Sequence, residues 1–223
     1  MPIIKTENLG RVYQTGKVEV VALRMVNMSV EPGEFLAIVG PSGSGKTTLL
    51  NMIGALDSPT HGKIFFDEED LTKASSFRLA EIRLMKIGFI FQAYNLIPVL
   101  TAFENVEYVM LLQGIPERER KKKALEALIE VGLKTCIDRR PGDLSGGQQQ
   151  RVAVARAIVS GPKIVLADEP TANLDSKTGA GLMDLLLELN QWKGITFVFS
   201  THDPMVMERA KRTIHLRDGR IEE

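Results

Sequence analysis

The chain has 223 residues, 44% of them apolar and 25% charged, with acidic and basic side chains in equal number. That length carries one substantial core, or one core with a smaller lobe. A formal net charge of zero excludes a generally basic, nucleic-acid-coating surface, though not a local basic patch.

The N-terminus, MPIIKTENLGRVY, lacks the apolar run of a secretion signal. IIKTENLGRVY, VVALRMVNMSV and, further on, GKIFFDEED read as short, partly alternating strands of an antiparallel flank. FLAIV at 35–39 is different: β-branched and aromatic, without alternation, and preceded by Pro32-Gly33. It predicts a central parallel strand buried on both faces. This strand leads into GPSGSGKTT at 40–48, which fits G-x-x-x-x-G-K-[ST] and opens the helix TTLLNMIGAL. Glycines there let backbone N–H groups turn inward on phosphate oxygens, and the helix start adds its positive dipole end. Gly40, Pro41, Ser42, Gly43, Ser44, Gly45, Lys46, Thr47 and Thr48 are thus candidate nucleotide contacts. Lys46 would reach the β- and γ-phosphates, and the Thr47 hydroxyl would hold Mg²⁺.

His61, in SPTHGK, reads as a turn residue, and Gln92 closes the strand-like run of IGFIFQAYN. Gln92 is either a simple strand cap or a polar group offered to a site. Strand signals vanish between about residues 93 and 158. LIPVLTAFENVEYVMLLQG at 96–114 contains Glu104, Asn105 and Glu107 and reads as amphipathic. No apolar stretch approaches the ~18–20 residues needed to cross a bilayer, so membrane spans are expected from another chain. Thr101 and Glu104 have capping-box spacing, and a further helix is predicted from Pro116 to near Gly132. ERERKKK at 117–123 could touch anionic headgroups, but a solvated helix face is favoured. Cys136 is the only cysteine; it permits no intrachain disulfide, fits a reducing cytosol, and reads as inert.

LSGGQ at 144–148 places Ser145 as an N-cap before two glycines that leave the first helical N–H groups unobstructed. It is either an ordinary cap with a close helix approach or a second anion site without a lysine of its own. KIVLA at 163–167 is a second central strand, closed by Asp168 and Glu169 before Pro170. Asp168 falls at the carboxyl edge of the sheet, where open α/β sheets bind ligands, and could hold Mg²⁺. Glu169 is the candidate general base. Thr178–Asn190 carries Leu182, Leu185, Leu186 and Leu189 on one helical face. ITFVFS at 195–200 is a third central strand, followed by His202, whose strand-end position suits contact with a γ-phosphate. His215, in TIHLRDG, reads as packing or surface. The nine methionines and Trp192 are expected in the core or at a partner surface. Strands alternating with helices give an α/β core with a parallel sheet, interrupted by a helical lobe. The expected partition is 1–92 core with its flank, 93–158 lobe and 159–223 core.

Together these stretches resemble the nucleotide-binding subunit of an ABC transporter, across essentially the whole chain. The matching pieces are GPSGSGKTT, Gln92, LSGGQ, IVLADEP, the NLD at 173–175 and His202. Tyr13, in RVYQTG, matches the aromatic that stacks on adenine; on sequence alone it is a strand residue. LLNMIGALDSPTHG, KIGFIFQAYNLIPVLTAFENV and ADEPTANLDSKTG are similar to the lipoprotein-releasing and macrolide-export types (LolD and MacB), with the cell-division type (FtsE) near. The resemblance implies the P-loop NTPase fold of ABC ATPases, ATP and Mg²⁺ as ligands, and hydrolysis with Glu169, His202 and Lys46 in catalysis. It adds Gln92 and Asp168 to Thr47 around the metal. It implies a head-to-tail homodimer sandwiching two ATP molecules, in which Ser145, Gly147 and Gln148 act in trans and Asp175 links the sites. Gln92 would couple nucleotide state to a membrane-embedded permease, docked on the lobe around Ala93–Arg140 at the cytoplasmic face of the membrane. A mechanical regulator of the cell-division type is the alternative. A DNA-clamping ABC ATPase is disfavoured: the interval before LSGGQ has neither sustained heptads nor cysteine clusters.

Overall fold

The computed structural model describes residues 1–16 and 18–222. In chain order its elements are β1 (Ile4–Thr15), β2 (Val18–Val30), β3 (Phe35–Val39), α1 (Lys46–Ile53), β4 (His61–Phe66) and β5 (Glu69–Asp70). Then come α2 (Ser76–Lys86), β6 (Ile87–Ile90), α3 (Ala102–Leu112), α4 (Glu117–Glu130) and α5 (Gly146–Ile158). The last are β7 (Ile164–Asp168), α6 (Ser176–Lys193), β8 (Thr196–Thr201), α7 (Pro204–Arg209), β9 (Arg212–Arg217) and β10 (Arg220–Ile221).

The larger sheet has the order β10-β9-β3-β8-β7-β6, parallel except where β10 turns back on β9. Its central strands are the apolar runs read from the sequence, and every residue of β3 and β8 is buried. Such strands need cover on both faces, and two apolar clusters supply it. On one face Phe197 and Phe199 stack and Phe35 packs tilted against both, with centroids 4.6–5.8 Å apart. That cluster continues into Val106 and Met110 of α3, Leu128 of α4, Val152 of α5 and Leu186 of α6. On the other face Leu36, Ile38 and Val198 pack with Leu49 and Ile53 of α1 and with the smaller antiparallel sheet, β2-β1-β4-β5.

Several expectations need correction. The first two strands are not short but run 12 and 13 residues. Register shifts break their pairing, and Asn8 and Met25 take positive φ, so the period-2 alternation is lost and long strands read as fragments. His61 is not in a turn: it opens β4 opposite Gly10, and its ring lies where a Gly10 side chain would be. Pro116 stands just outside α4 as its N-cap. The helix α2 had no predicted counterpart. Trp192 is 83% exposed, which removes the core from its two expected places and leaves the partner surface; Cys136 is a buried free thiol. The capping box of Thr101 and Glu104 forms as read.

Asn190, at the end of α6, aligns the strand entrances. It is buried, donates to the Gly33 and Ile195 carbonyls at 2.9 and 2.8 Å, and accepts from Lys211 Nζ at 2.9 Å. Asn190→Leu removes the donor to the Gly33 and Ile195 carbonyls. Urea unfolding should show a loss of about 2–4 kcal/mol, on the order of 1–3 for each buried group left unpaired.

Candidate functional site

Lys46 and Thr47 begin α1 where the chain leaves the carboxyl end of β3. Gly45 precedes them at φ 105, and a side chain there would sit 2.5 Å from the Ala22 carbonyl oxygen; only glycine fits. Lys46 folds back over its own loop, its Nζ donating to the carbonyls of Gly40 at 2.8 Å and Pro41 at 3.0 Å. An ammonium has three protons, so one remains for a ligand. Ser44 is buried, and its Oγ has no partner among the described residues.

The neighbouring strand ends deliver the acids. Thr47 Oγ1 lies 3.2 and 3.1 Å from Asp168 Oδ1 and Oδ2, and the Ser200 hydroxyl also donates to Asp168. Glu169 holds a left-handed backbone at φ 45, uncommon for a residue with a side chain. Its N–H donates to the Ser200 carbonyl at 3.0 Å, and its Oε1 is 2.7 Å from His202 Nδ1. Gln92 follows β6 with an exposed side chain, and its carbonyl accepts from Asn173 Nδ2 at 2.9 Å.

A cavity of about 590 Å³ gathers most of these groups: Pro41–Gly43, Gly45–Thr48, Gln92, Glu169 and His202 line it. Val20, Val21, Ala22 and Ala172 also line it, and sequence reasoning missed them. Their role shows only in the structure, where β2 passes the phosphate loop with Val18, Val20 and Val21 exposed. Asp168 reaches the cavity through Thr47. Tyr13 stands at its border, in register with Val20; its hydroxyl donates to Asp57 at 2.8 Å and the Arg11 guanidinium covers its ring at 4.5 Å. No group of three or more metal-binding acids, histidines or cysteines occurs among the described residues; the oxygen donors at hand are the Thr47 hydroxyl, the Asp168 carboxylate and the Gln92 amide.

The second glycine-rich entrance lies apart. None of residues 145–148 lines that cavity. Ser145 caps α5 by accepting from Gln148 N at 3.3 Å, while Gln148 Oε1 accepts from Ser145 N at 2.9 Å. This capping box was not read from the sequence. The glycines are also packed: a side chain on Gly146 would meet the Tyr94 hydroxyl at 2.9 Å, and one on Gly147 would meet Thr178 Cγ2 at 2.4 Å. Asp175, expected to act across an interface, caps its own helix. It accepts from the N–H groups of Lys177 and Thr178, and from the Thr178 hydroxyl at 2.6 Å. Led by that hydroxyl, these bonds hold its carboxyl below the usual range. Arg156, from the same α5, donates to the carbonyls of Tyr94 and Asn95, just beyond Gln92.

Comparison with known proteins agrees with this geometry. A family model described as ABC transporter matches residues 23–172. YvrO, an ABC transporter ATP-binding protein of Bacillus subtilis, is 48% identical over 98% of this chain and 95% of its own. MJ0796, the counterpart in Methanocaldococcus jannaschii, is 47% identical over 99% of this chain and 95% of its own length. Dimeric structures of MJ0796, one in a post-hydrolysis state with ADP and Pi, superpose with a TM-score of 0.92 over 99% of this chain and 97% of theirs, at 46% identity. The macrolide export ATP-binding/permease protein MacB of Brucella melitensis is 46% identical over 99% of this chain, which spans 34% of that longer protein.

The contact between Gly147 and Thr178 is directly testable. Gly147→Ala should lower stability by about 1–3 kcal/mol, the usual range for an overpacked site. Adding Thr178→Ser removes the opposing methyl but keeps the hydroxyl on Asp175, and should restore most of the loss. Chemical unfolding of the two single variants and the double variant reads this as a coupling energy.

Proposed function

The chain belongs to the ABC transporter family of ATP-binding proteins, and from that premise we propose how its residues bind and hydrolyse ATP. It is an ATP-binding cassette ATPase that works as a dimer and powers a membrane-embedded permease. The observation carrying the residue assignment is the convergence of Lys46, Thr47, Gln92, Glu169 and His202 on one cavity.

Residues 40–48 cradle the triphosphate, and the remaining ammonium proton of Lys46 meets its β- and γ-oxygens. Tyr13 offers adenine the ring face opposite Arg11. The oxygen donors of Thr47, Asp168 and Gln92 suit a hard cation. Mg²⁺ held there would neutralise charge on the β- and γ-phosphate oxygens. Glu169 accepts a proton from the attacking water as its oxygen bonds to the γ-phosphorus. The bond to the bridging oxygen breaks, ADP keeps that electron pair, and phosphate departs. His202 is held through Nδ1 by Glu169, which leaves Nε2 for the γ-phosphate.

Two copies meet head to tail, and the entrance at Ser145, Gly147 and Gln148 binds the nucleotide seated on the partner copy. Asp175 sets the turn that connects the sites. Residues 93–158 form the lobe that answers the permease. The docking surface for the permease is assigned to the lobe around residues 93–140, bordered by a groove of about 380 Å³ that Val109 lines together with Leu84, Phe89 and Arg156; this reading has the cassette working at the cytoplasmic face of the membrane.

Glu169→Gln should bind ATP normally while turnover falls by about 10²–10⁴-fold, the usual contribution of a general base. A dimer should accumulate on size exclusion with ATP. Unchanged turnover removes Glu169 from the role. Ser145→Arg should keep ATP binding in the monomer but fail to dimerise or hydrolyse. Loss of binding in the monomer would mean that LSGGQ serves its own nucleotide, contrary to the trans assignment.

A further inference from the structure

Gln150 lies on α5, about one and a half turns beyond Ser145. It is fully buried, and its Nε2 donates to the Pro170 carbonyl at 2.7 Å. Its Oε1 has no partner among the described residues. A carbonyl only accepts, so the amide must face Pro170 with its nitrogen, and Oε1 is necessarily the atom left over. A buried acceptor without a partner is unfavourable, and an apolar side chain here would avoid it. The bond to Pro170 is what offsets that penalty.

Pro170 is itself buried and directly follows Glu169. A left-handed glutamate persists only where its surroundings hold it. From the sheet side the Glu169 N–H is fixed on the Ser200 carbonyl, and from α7 the Thr171 hydroxyl is fixed on Asp203 Oδ2 at 2.8 Å. Gln150 supplies the hold from α5, the helix that LSGGQ opens.

We propose that Gln150 is a positioning residue that ties the signature helix, through Pro170, to the backbone of Glu169 in the same chain. This rests on the assignment of Glu169 as general base and of LSGGQ as the contact to the partner's nucleotide. Each helix start then touches one ATP while its next turn sets the base acting on the other. Engagement of one site therefore aligns catalysis at the second, and turnover is cooperative in ATP.

The test uses the full chain with ATP and the variants Gln150→Leu and Gln150→Glu. Gln150→Leu should bind a fluorescent ATP analogue within about twofold of the wild type. Its kcat should fall about tenfold, the equivalent of one hydrogen bond, with KM nearly unchanged and the Hill coefficient moving toward one. Gln150→Glu keeps the shape. Burial favours its neutral form, whose O–H donates to Pro170, so its activity should approach wild type at low pH and decline as pH rises. The variant-to-wild-type ratio is read, so that any pH effect common to both proteins cancels. A Gln150→Leu enzyme with wild-type kcat and Hill coefficient, beside an inactive Glu169→Gln, overturns this inference alone. A pH-independent ratio for Gln150→Glu overturns it as well, since a merely structural loss gives that. Full turnover in Glu169→Gln overturns the underlying assignment and this inference with it.

Discussion

Parallel pairing of β3, β8 and β7 in one phase is the constraint on which the site depends. Val39 lies opposite Thr201, and Asp168 lies opposite Ser200. The phosphate loop, the two acids and His202 therefore leave the sheet at one edge and at one height. A slip of one residue in β7 would move Asp168 by about 3.3 Å along the strand and turn its side chain to the other face. Its contact with Thr47 would then be lost. Burial protects this register: β3 and β8 are covered on both faces, so a slipped strand would have to rebuild two apolar layers rather than one.

The same constraint explains what could be read from the sequence. FLAIV, KIVLA and ITFVFS have no polar face, so length and composition identified them within a residue. Glycine and proline marked their ends. The flank was harder because bulges destroy alternation, and α2 was missed because its exposed face carries Phe77 and Met85 and gives no clean stripe. Positions fixed by local chemistry were legible at the site: the phosphate loop, Asp168, Glu169 and the Ser145 cap. Gln92 was left open between a strand cap and a site group, and Tyr13 read as a strand residue, since each needs a neighbour distant in sequence to acquire meaning. Val20 and Gln150 belong to the same class. Nothing in QQQRV distinguishes the glutamine that meets Pro170 from its two neighbours; only the packing of α5 against the turn after β7 does.

The two glycine-rich entrances differ in what their glycines are for. Gly45 is demanded by its own backbone, which is left-handed and pressed against Ala22. Gly146 and Gly147 take ordinary helical positions, and their need is external: Tyr94 and Thr178 occupy the space where side chains would stand. The close-approach reading and the anion-site reading of LSGGQ are therefore compatible. The glycines let the helix start sit against the Gln92 loop and α6, and the same bare start presents unobstructed N–H groups to solvent or to a partner's phosphate.

That packing has a mechanical consequence. Gly146 is seated against Tyr94, Arg156 of the same helix grips the Tyr94 carbonyl at 2.8 Å, and Asn173 grips the Gln92 carbonyl at 2.9 Å. The loop carrying Gln92 is thus joined by polar contacts to the last turn of α5, through Arg156, and to the turn running from Glu169 to Asp175, through Asn173, while Gly146 packs against it at the start of α5. Directional bonds of this kind lose most of their strength when stretched or bent. A displacement of α5 must therefore carry the loop and the turn along or break specific bonds. A γ-phosphate held between two chains supplies differential contacts of the kind that can choose between such arrangements. On the proposed trans arrangement, its loss on hydrolysis would remove those contacts at the interface first, and the polar links would carry that local loss to the loop holding Gln92.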